Sequence, residues 1–209
     1  MAEAAVRYLR SVRTPPAPEP VEALPRPELR CVGEDERAPV DPADFRRVLG
    51  NFATGVAVIT APPAAPADSP AGFACQSFTS LSLDPPLVAF MVGRGSTTWP
   101  RIARAGVFCV NVLGAHQSEL CRAFAVSGAD KFAGVAYDAA PVSGSPRLSG
   151  GVAWIDCAVH AVHTGGDHLI VVGRVDALGA PDGPDGPLLF HRGRFARLSD
   201  RVVVQPPLG

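Results

Sequence analysis

From residue 54 onward, short β-branched or aromatic apolar runs alternate with clusters of turn-forming residues. Gly55-Val56-Ala57-Val58-Ile59-Thr60 is one such run, and it stops at the proline-rich stretch between Pro62 and Pro70, the pattern of a strand ended by a turn. Further strands are predicted over 72–78, over 87–92 after Pro85-Pro86, and over 107–113. Two longer runs, 152–163 and 168–178, flank Thr164-Gly165-Gly166-Asp167, which is hairpin chemistry. A last pair is predicted over 188–190 and 194–198 around Arg192-Gly193. Three stretches have helical rather than strand character. Phe45, Val48, Leu49 and Phe52 form one stripe at helical spacing. Asp41 before them suits an N-cap, Pro42 the first helical position, and Asp44 the positive end of the helix dipole. A second helix follows Ser96-Thr97-Thr98 with Pro100 in its first turn, and a third covers 116–125 and stops near Gly128.

These elements do not alternate strand with helix, and no Gly-x-Gly-x-x-Gly follows a strand, so a doubly wound nucleotide-binding sheet is not expected. The fold class expected is mainly β: a closed antiparallel barrel with a few short flanking helices, since closure removes the free edges of such a sheet. Residues 1–40 are rich in proline and lack a sustained period. They read as a mobile arm with at most one short helix, over 4–13. The folded domain is expected over 41–200, with 201–209 as a tail.

Composition narrows the function. With 47% hydrophobic residues the chain can bury a core, and 19 basic against 20 acidic side chains leave a net charge of -1. That balance provides no bulk field for nucleic acid or an anionic membrane. No apolar window approaches the roughly 18 residues of a membrane helix, and Arg7, Arg10 and Arg13 interrupt the first segment. A soluble, cytoplasmic protein is the expectation. Cys31, Cys75, Cys109, Cys121 and Cys157 are odd in number and contain no Cys-x-x-Cys pair, so they read as small buried residues rather than zinc ligands.

Three segments carry more polar hardware than a barrel needs. The first runs from Gly72 through Gln76-Ser77-Phe78-Thr79-Ser80 to Pro85-Pro86; its small side chains and hydroxyls suit a flat ligand with a polar edge, or simply turn bonds within the loop. The second is Gly93-Arg94-Gly95-Ser96-Thr97-Thr98, which suits a phosphate at a helix start or ordinary capping. The third is Gly165-Gly166-Asp167-His168, where a histidine leaves a hairpin turn either as a ligand contact or as a solvated rim residue. No metal spacing, carboxylate pair or nucleophile elbow is present.

In order, Asp44-Phe45-Arg46, Thr54-Gly55-Val56, the 72–86 segment, 108–113, Phe124, Asp130-Lys131-Phe132, Gly144-Ser145-Pro146, Gly166-Asp167-His168 and Pro187-Leu188-Leu189-Phe190 resemble the short-chain flavin reductases. These are the reductase components of two-component flavin-dependent monooxygenases. The resemblance implies an FMN-binding split barrel, a homodimer that oxidises NADH or NADPH and reduces free FAD or FMN for a partner monooxygenase. It also implies site residues. Ala74, Cys75, Ser77, Phe78 and Ser80 would meet the flavin ring and ribityl chain. Arg94, Ser96 and Thr98, with Phe124 and Ala125 nearby, would meet the phosphate end, and His168 the nicotinamide nucleotide. The family often has Asn where Gln76 stands and Tyr where Phe190 and Phe195 stand. Two other readings stay open at this point: a non-catalytic flavin-binding electron carrier, and an oxidase of the pyridoxamine-phosphate type, which would want a denser basic cluster.

Overall fold

The computed structural model describes residues 39–63, 65, 68–128, 130–181 and 186–199; the short helix expected over 4–13, all but the last two residues of the arm expected over 1–40, and the tail expected over 201–209 lie outside these. Helix α1 (Pro42–Leu49) starts where expected. The Asp41 carboxylate accepts hydrogen bonds from the Ala43 and Asp44 amides at 2.8 and 3.1 Å, satisfying two of the helix's orphan donors. Among the described residues twelve strands follow, in the order β1 (Thr54–Gly55), β2 (Ala57–Ala61), β3 (Ala71–Cys75), β4 (Thr79–Leu83), β5 (Pro86–Gly93), β6 (Val107–Val112), β7 (Tyr137–Ala139), β8 (Pro146–Leu148), β9 (Ala153–Gly165), β10 (His168–Gly179), β11 (Leu189–His191) and β12 (Arg194–Ala196). Helix α2 (Trp99–Ala105) lies between β5 and β6, and α3 (Ser118–Ala125) between β6 and β7.

The main sheet is antiparallel and seven-stranded, in the order β3-β2-β6-β9-β10-β5-β4. Its two end strands, β3 and β4, are joined by the three residues 76–78 yet share no ladder. The hydrogen-bond ladder therefore does not close, which corrects the closed barrel expected from sequence. The reason is local: the chain leaves the edge at Cys75 and, after a three-residue corner, pairs with β5 instead of running back along β3. Mainly β with few helices holds. The single run expected over 55–60 is two strands, because Val56 gives its amide to Leu188 and its carbonyl to the Leu113 amide. This joins β1 to β11 in a small side sheet. Segment 79–83, read as hydroxyl-rich loop, is strand β4.

Alternation along the strands produces two apolar clusters. One contains Ile59, Phe90, Trp99, Ile102, Phe108, Val110, Cys157 and Val171, with Phe90 edge-on to both Trp99 and Phe108 at ring centroid distances of 6.2 and 5.2 Å. The other, on the opposite face, contains Val58, Leu113, Phe124, Leu148 and Leu188. Two buried polar side chains between them, Asn111 and Asp156, tie in the neighbouring strap, although Asp156 Oδ1 has no hydrogen-bond partner among the described residues. Asn111 donates to Val58 O and Pro146 O and accepts from the Leu148 amide at 2.7 Å, while Asp156 accepts from the Val142 and Ser143 amides. Those bonds hold the β7–β8 strap against the sheet. The four described cysteines are buried, and burial raises each thiol, Cys109 to about 12 with the Asp156 carboxylate adding to the shift. They are inert near neutral pH.

Helix α1 departs from an ordinary amphipathic helix. It buries no residue, and Phe45, Val48, Leu49 and Phe52 are more than half exposed. Its C-terminus is fastened elsewhere: Asn51 caps the Arg47 and Val48 carbonyls and accepts from Arg192 Nε at 2.8 Å. The helix thus hangs over the β11–β12 hairpin with its apolar stripe toward open space.

Candidate functional site

Two concavities flank strand β3 and the corner that follows it. The larger, about 960 Å³, is a groove with Gln76, Ser77, Phe78 and Met91 on one wall and Phe45, Leu49, Phe190 and Arg192 on the other. It is largely apolar with a few polar groups at its edges, the composition of a site for a flat organic ring. The smaller, about 690 Å³, is a polar cleft lined by Gly72, Thr97, Thr98, Arg101, Arg104 and Lys131, with Asp130 at its edge. Three cationic side chains and the hydroxyl-bearing Ser69, Thr97 and Thr98 line it, with the carboxylates of Asp68 and Asp130, and the cationic and hydroxyl donors suit a phosphate or diphosphate.

The cleft is built by close packing. A Cβ on Gly72 would lie 2.7 Å from Phe124 Cε1 and 3.2 Å from Phe132 Cζ, so only glycine lets β3 lie on these rings. Lys131, the sole lysine, donates to Gly72 O at 3.2 Å and Phe124 O at 3.0 Å. Those bonds use two of the three ammonium donors and leave one for the cleft. Burial holds Lys131 below the usual lysine pKa. Arg101 is held over the cleft by the Ser69 and Pro70 carbonyls. Ser96 Oγ accepts the Trp99 amide at 3.2 Å, so it caps α2, whereas the Thr98 side chain makes no cap bond and lines the cleft.

Among the residues singled out from sequence, Ser77 and Phe78 line the groove and Thr98 the cleft. Ala74 and Cys75 point to opposite faces of β3, each against one apolar cluster, and line neither. Ser80 is exposed on β4, and Arg94 is exposed at the end of β5 with its amide bonded to Asp167 O. Phe124 is fully buried, and Ala125 beside it is exposed. His168 opens β10 directly across from Gly93, after the turn in which Gly166 has φ 67°, a conformation that glycine adopts without strain. His168 Nδ1 lies 2.8 Å from Asp167 Oδ1. An ionised carboxylate only accepts, so Nδ1 carries the proton of this bond and Nε2 is the ring nitrogen left for another partner.

Gln76, Met91, Phe190 and Arg192 in the groove, and Arg101, Arg104 and Lys131 in the cleft, are lining residues that sequence reasoning did not single out as site residues. Lys131 had one visible signal: a lone lysine among arginines, between Asp130 and Phe132.

Residues 49–199 match the family model of the flavin reductase like domain. The chain is 48% identical over 166 residues to a flavin reductase of Pseudomonas putida, covering 79% of this chain and 95% of that protein. Among solved structures it is similar to nitrilotriacetate monooxygenase component B from Mycobacterium thermoresistibile, with a TM-score of 0.74 and 43% identity over 80% of this chain and 92% of the other. It is similar also to the NADH:FAD oxidoreductase SgcE6 of Streptomyces globisporus C-1027, solved with NAD and FAD fragments, with a TM-score of 0.71 and 37% identity over 79% and 99% of the two chains. A chain whose cationic cleft and apolar groove lie toward the two ends of one strand, and whose likeness to these proteins runs through nearly all of its described residues, belongs to the flavin reductase-like family.

Proposed function

We propose that the protein is an NADH-dependent flavin reductase that reduces free FAD, or FMN, and releases it to a partner monooxygenase. The observation that carries this reading is the continuity of β3. The strand runs from Gly72 in the cationic cleft to the corner at Gln76 in the apolar groove, four residues and so about 13 Å at strand rise. A flavin has the same layout, with a flat ring joined by a five-carbon chain to a phosphate. The donor set fits it: Lys131, Arg101 and Arg104 with Thr97 and Thr98 for the phosphate end, and Phe78, Met91 and Phe190 for the ring. The Gln76 amide, exposed on the groove wall, can both donate and accept at the ring's polar edge.

The reaction moves a hydride equivalent from reduced nicotinamide to the flavin ring, so the protein's task is to stack two flat substrates and exclude water. It needs neither a nucleophile nor a strong base. Free flavin must also leave, and an open groove with few polar contacts serves that purpose.

Register sets the role of His168. Ile170 pairs with Met91 on the groove wall, and His168, two residues earlier on β10, pairs with Gly93. The histidine is therefore at the rim beyond the ring site, with Nε2 ready to accept from a carboxamide N–H of the nicotinamide nucleotide. His168→Ala should raise the KM for NADH about two- to tenfold, the roughly 0.5–1.5 kcal/mol of one neutral hydrogen bond, with little change in turnover. Steady-state kinetics at saturating flavin check it; a loss of turnover of about a hundredfold would instead mark a general acid.

The exposed apolar stripe of α1, together with Leu83 at 94% exposure, supports a homodimer in which a second copy covers this flank and walls the groove. The cytoplasm is the compartment that fits an NADH-consuming reductase with buried, reduced thiols. Light scattering at micromolar protein should give twice the chain mass; a monomer would contradict the dimer. The enzymatic reading is tested by NADH oxidation with and without added FAD.

A further inference from the structure

The seam between the two ends of the main sheet is bridged chiefly by the Ser77 side chain, with the weaker Cys75 thiol contact to Met91 O beside it. The β4–β5 ladder pairs Thr79 with Ala89, and two residues further along the same register Ser77 stands opposite Met91. No backbone ladder forms there. Instead Ser77 Oγ donates to Met91 O at 3.0 Å and accepts from the Met91 amide at 3.2 Å. A neighbouring strand would make these same two bonds with its own amide and carbonyl.

Cys75 Sγ lies beside this pair, 3.4 Å from Ser77 Oγ and 4.0 Å from Met91 O, and its one proton can go to either oxygen. A serine hydroxyl has one proton to give and two lone pairs to receive. The proton and one lone pair are used on Met91, so the hydroxyl has no proton to give a flavin unless the seam opens.

We propose that Ser77 is a positioning residue: its hydroxyl is the latch that closes the sheet at the corner 76–78 and so fixes Gln76 and Phe78 in the groove wall. This rests on the reading of the groove as the flavin site. It differs from a direct contact in what its loss does. Without the hydroxyl the Met91 amide and carbonyl lose their partner, the corner is tied to β5 by fewer bonds, and the Cys75 thiol behind it, 6% exposed, becomes reachable.

The test compares the wild type with Ser77→Ala and Ser77→Thr, the second keeping a hydroxyl. In flavin-free wild type, hydrogen exchange at the Met91 amide should be slowed, and iodoacetamide should label the Cys75 peptide slowly. Ser77→Ala should speed both and raise the FAD KM about tenfold, the size of losing one to two hydrogen bonds that set the corner, with a smaller change in turnover. Ser77→Thr should restore all three. If Ser77→Ala weakens FAD while exchange and labelling stay at wild-type values, the hydroxyl touches flavin directly and the latch is wrong. If the alanine variant does not fold, an unprotected Met91 amide in the wild type alone overturns the proposal, and a protected one supports it. Absence of flavin turnover in the wild type overturns the functional reading, and the same assay shows it before any variant is made.

Discussion

Phe90→Ala should lower the unfolding free energy by about 3–5 kcal/mol, the range for deleting a fully buried aromatic ring. Phe90 is 0% exposed in the middle of β5 and touches Phe73, Trp99 and Phe108 edge-on or tilted. Its removal leaves a cavity among three rings from β3, α2 and β6, none of which can collapse far without dragging its strand or helix. The cost is concentrated at the site, because Phe90 precedes Met91 of the groove wall and Trp99 opens the helix beside the cleft. Thermal unfolding checks the magnitude, and a loss below about 1 kcal/mol would mean that the core tolerates the void. Flavin should also recover part of the loss, since a ligand bound only by the folded state stabilises it.

Lys131→Ala should cost about 1.5–3 kcal/mol of flavin binding, about ten- to a hundredfold in affinity, as the loss of a charge-assisted hydrogen bond does. The side chain has two jobs that the substitution removes together. It ties Gly72 O to Phe124 O, and it adds positive charge to the cleft with Arg101 and Arg104. Riboflavin, which has no phosphate, separates them, since losing the charge alone should leave its affinity unchanged. Acidity gives a second handle. Burial holds the Lys131 pKa below the usual lysine value, so the ammonium is lost at lower pH than that of an ordinary lysine. Affinity for FAD should therefore fall as pH rises toward that lowered value, and Lys131→Arg should flatten the fall. Fluorescence titration of flavin across pH reads both. Unchanged affinity in a folded alanine variant would put the phosphate elsewhere.

The strands that were easiest to read in the sequence are those buried on one or both faces. β6, β9 and β10 consist of β-branched runs bounded by glycine, and their turn at Gly166-Asp167 is where the residue types require it. β4 was missed although Ser80-Leu81-Ser82-Leu83 alternates with period two, because the strand is an edge and its leucines face outward at 53% and 94% exposure. The strap β7–β8 has three residues in each strand and depends on Asn111 and Asp156, far away in sequence. Helix α1 was legible as a helix, but its stripe signals burial only if something covers it, and a single chain cannot say what.

The candidate site was legible where a residue acts through its local segment and not where it acts across the fold. Ser77, Phe78 and Thr98 lie on segments whose glycines and hydroxyls are visible in the sequence. Arg101 and Arg104 read as the ordinary polar face of a short helix until the chain brings Lys131 and Gly72 beside them. Phe124 is part of the family pattern, and the structure explains it as packing: its ring fills the space left by Gly72 and meets Phe132 edge-on at 5.1 Å.

The most direct test is an anaerobic mixture of purified protein, NADH and FAD, followed at the nicotinamide and flavin absorbance bands together. NADH should be stable with protein alone. On addition of FAD both bands should bleach in equal amounts, through many turnovers per protein and with the reduced flavin free in solution. NADH loss without added flavin, or no loss with it when either NADH or NADPH is supplied, would contradict the account.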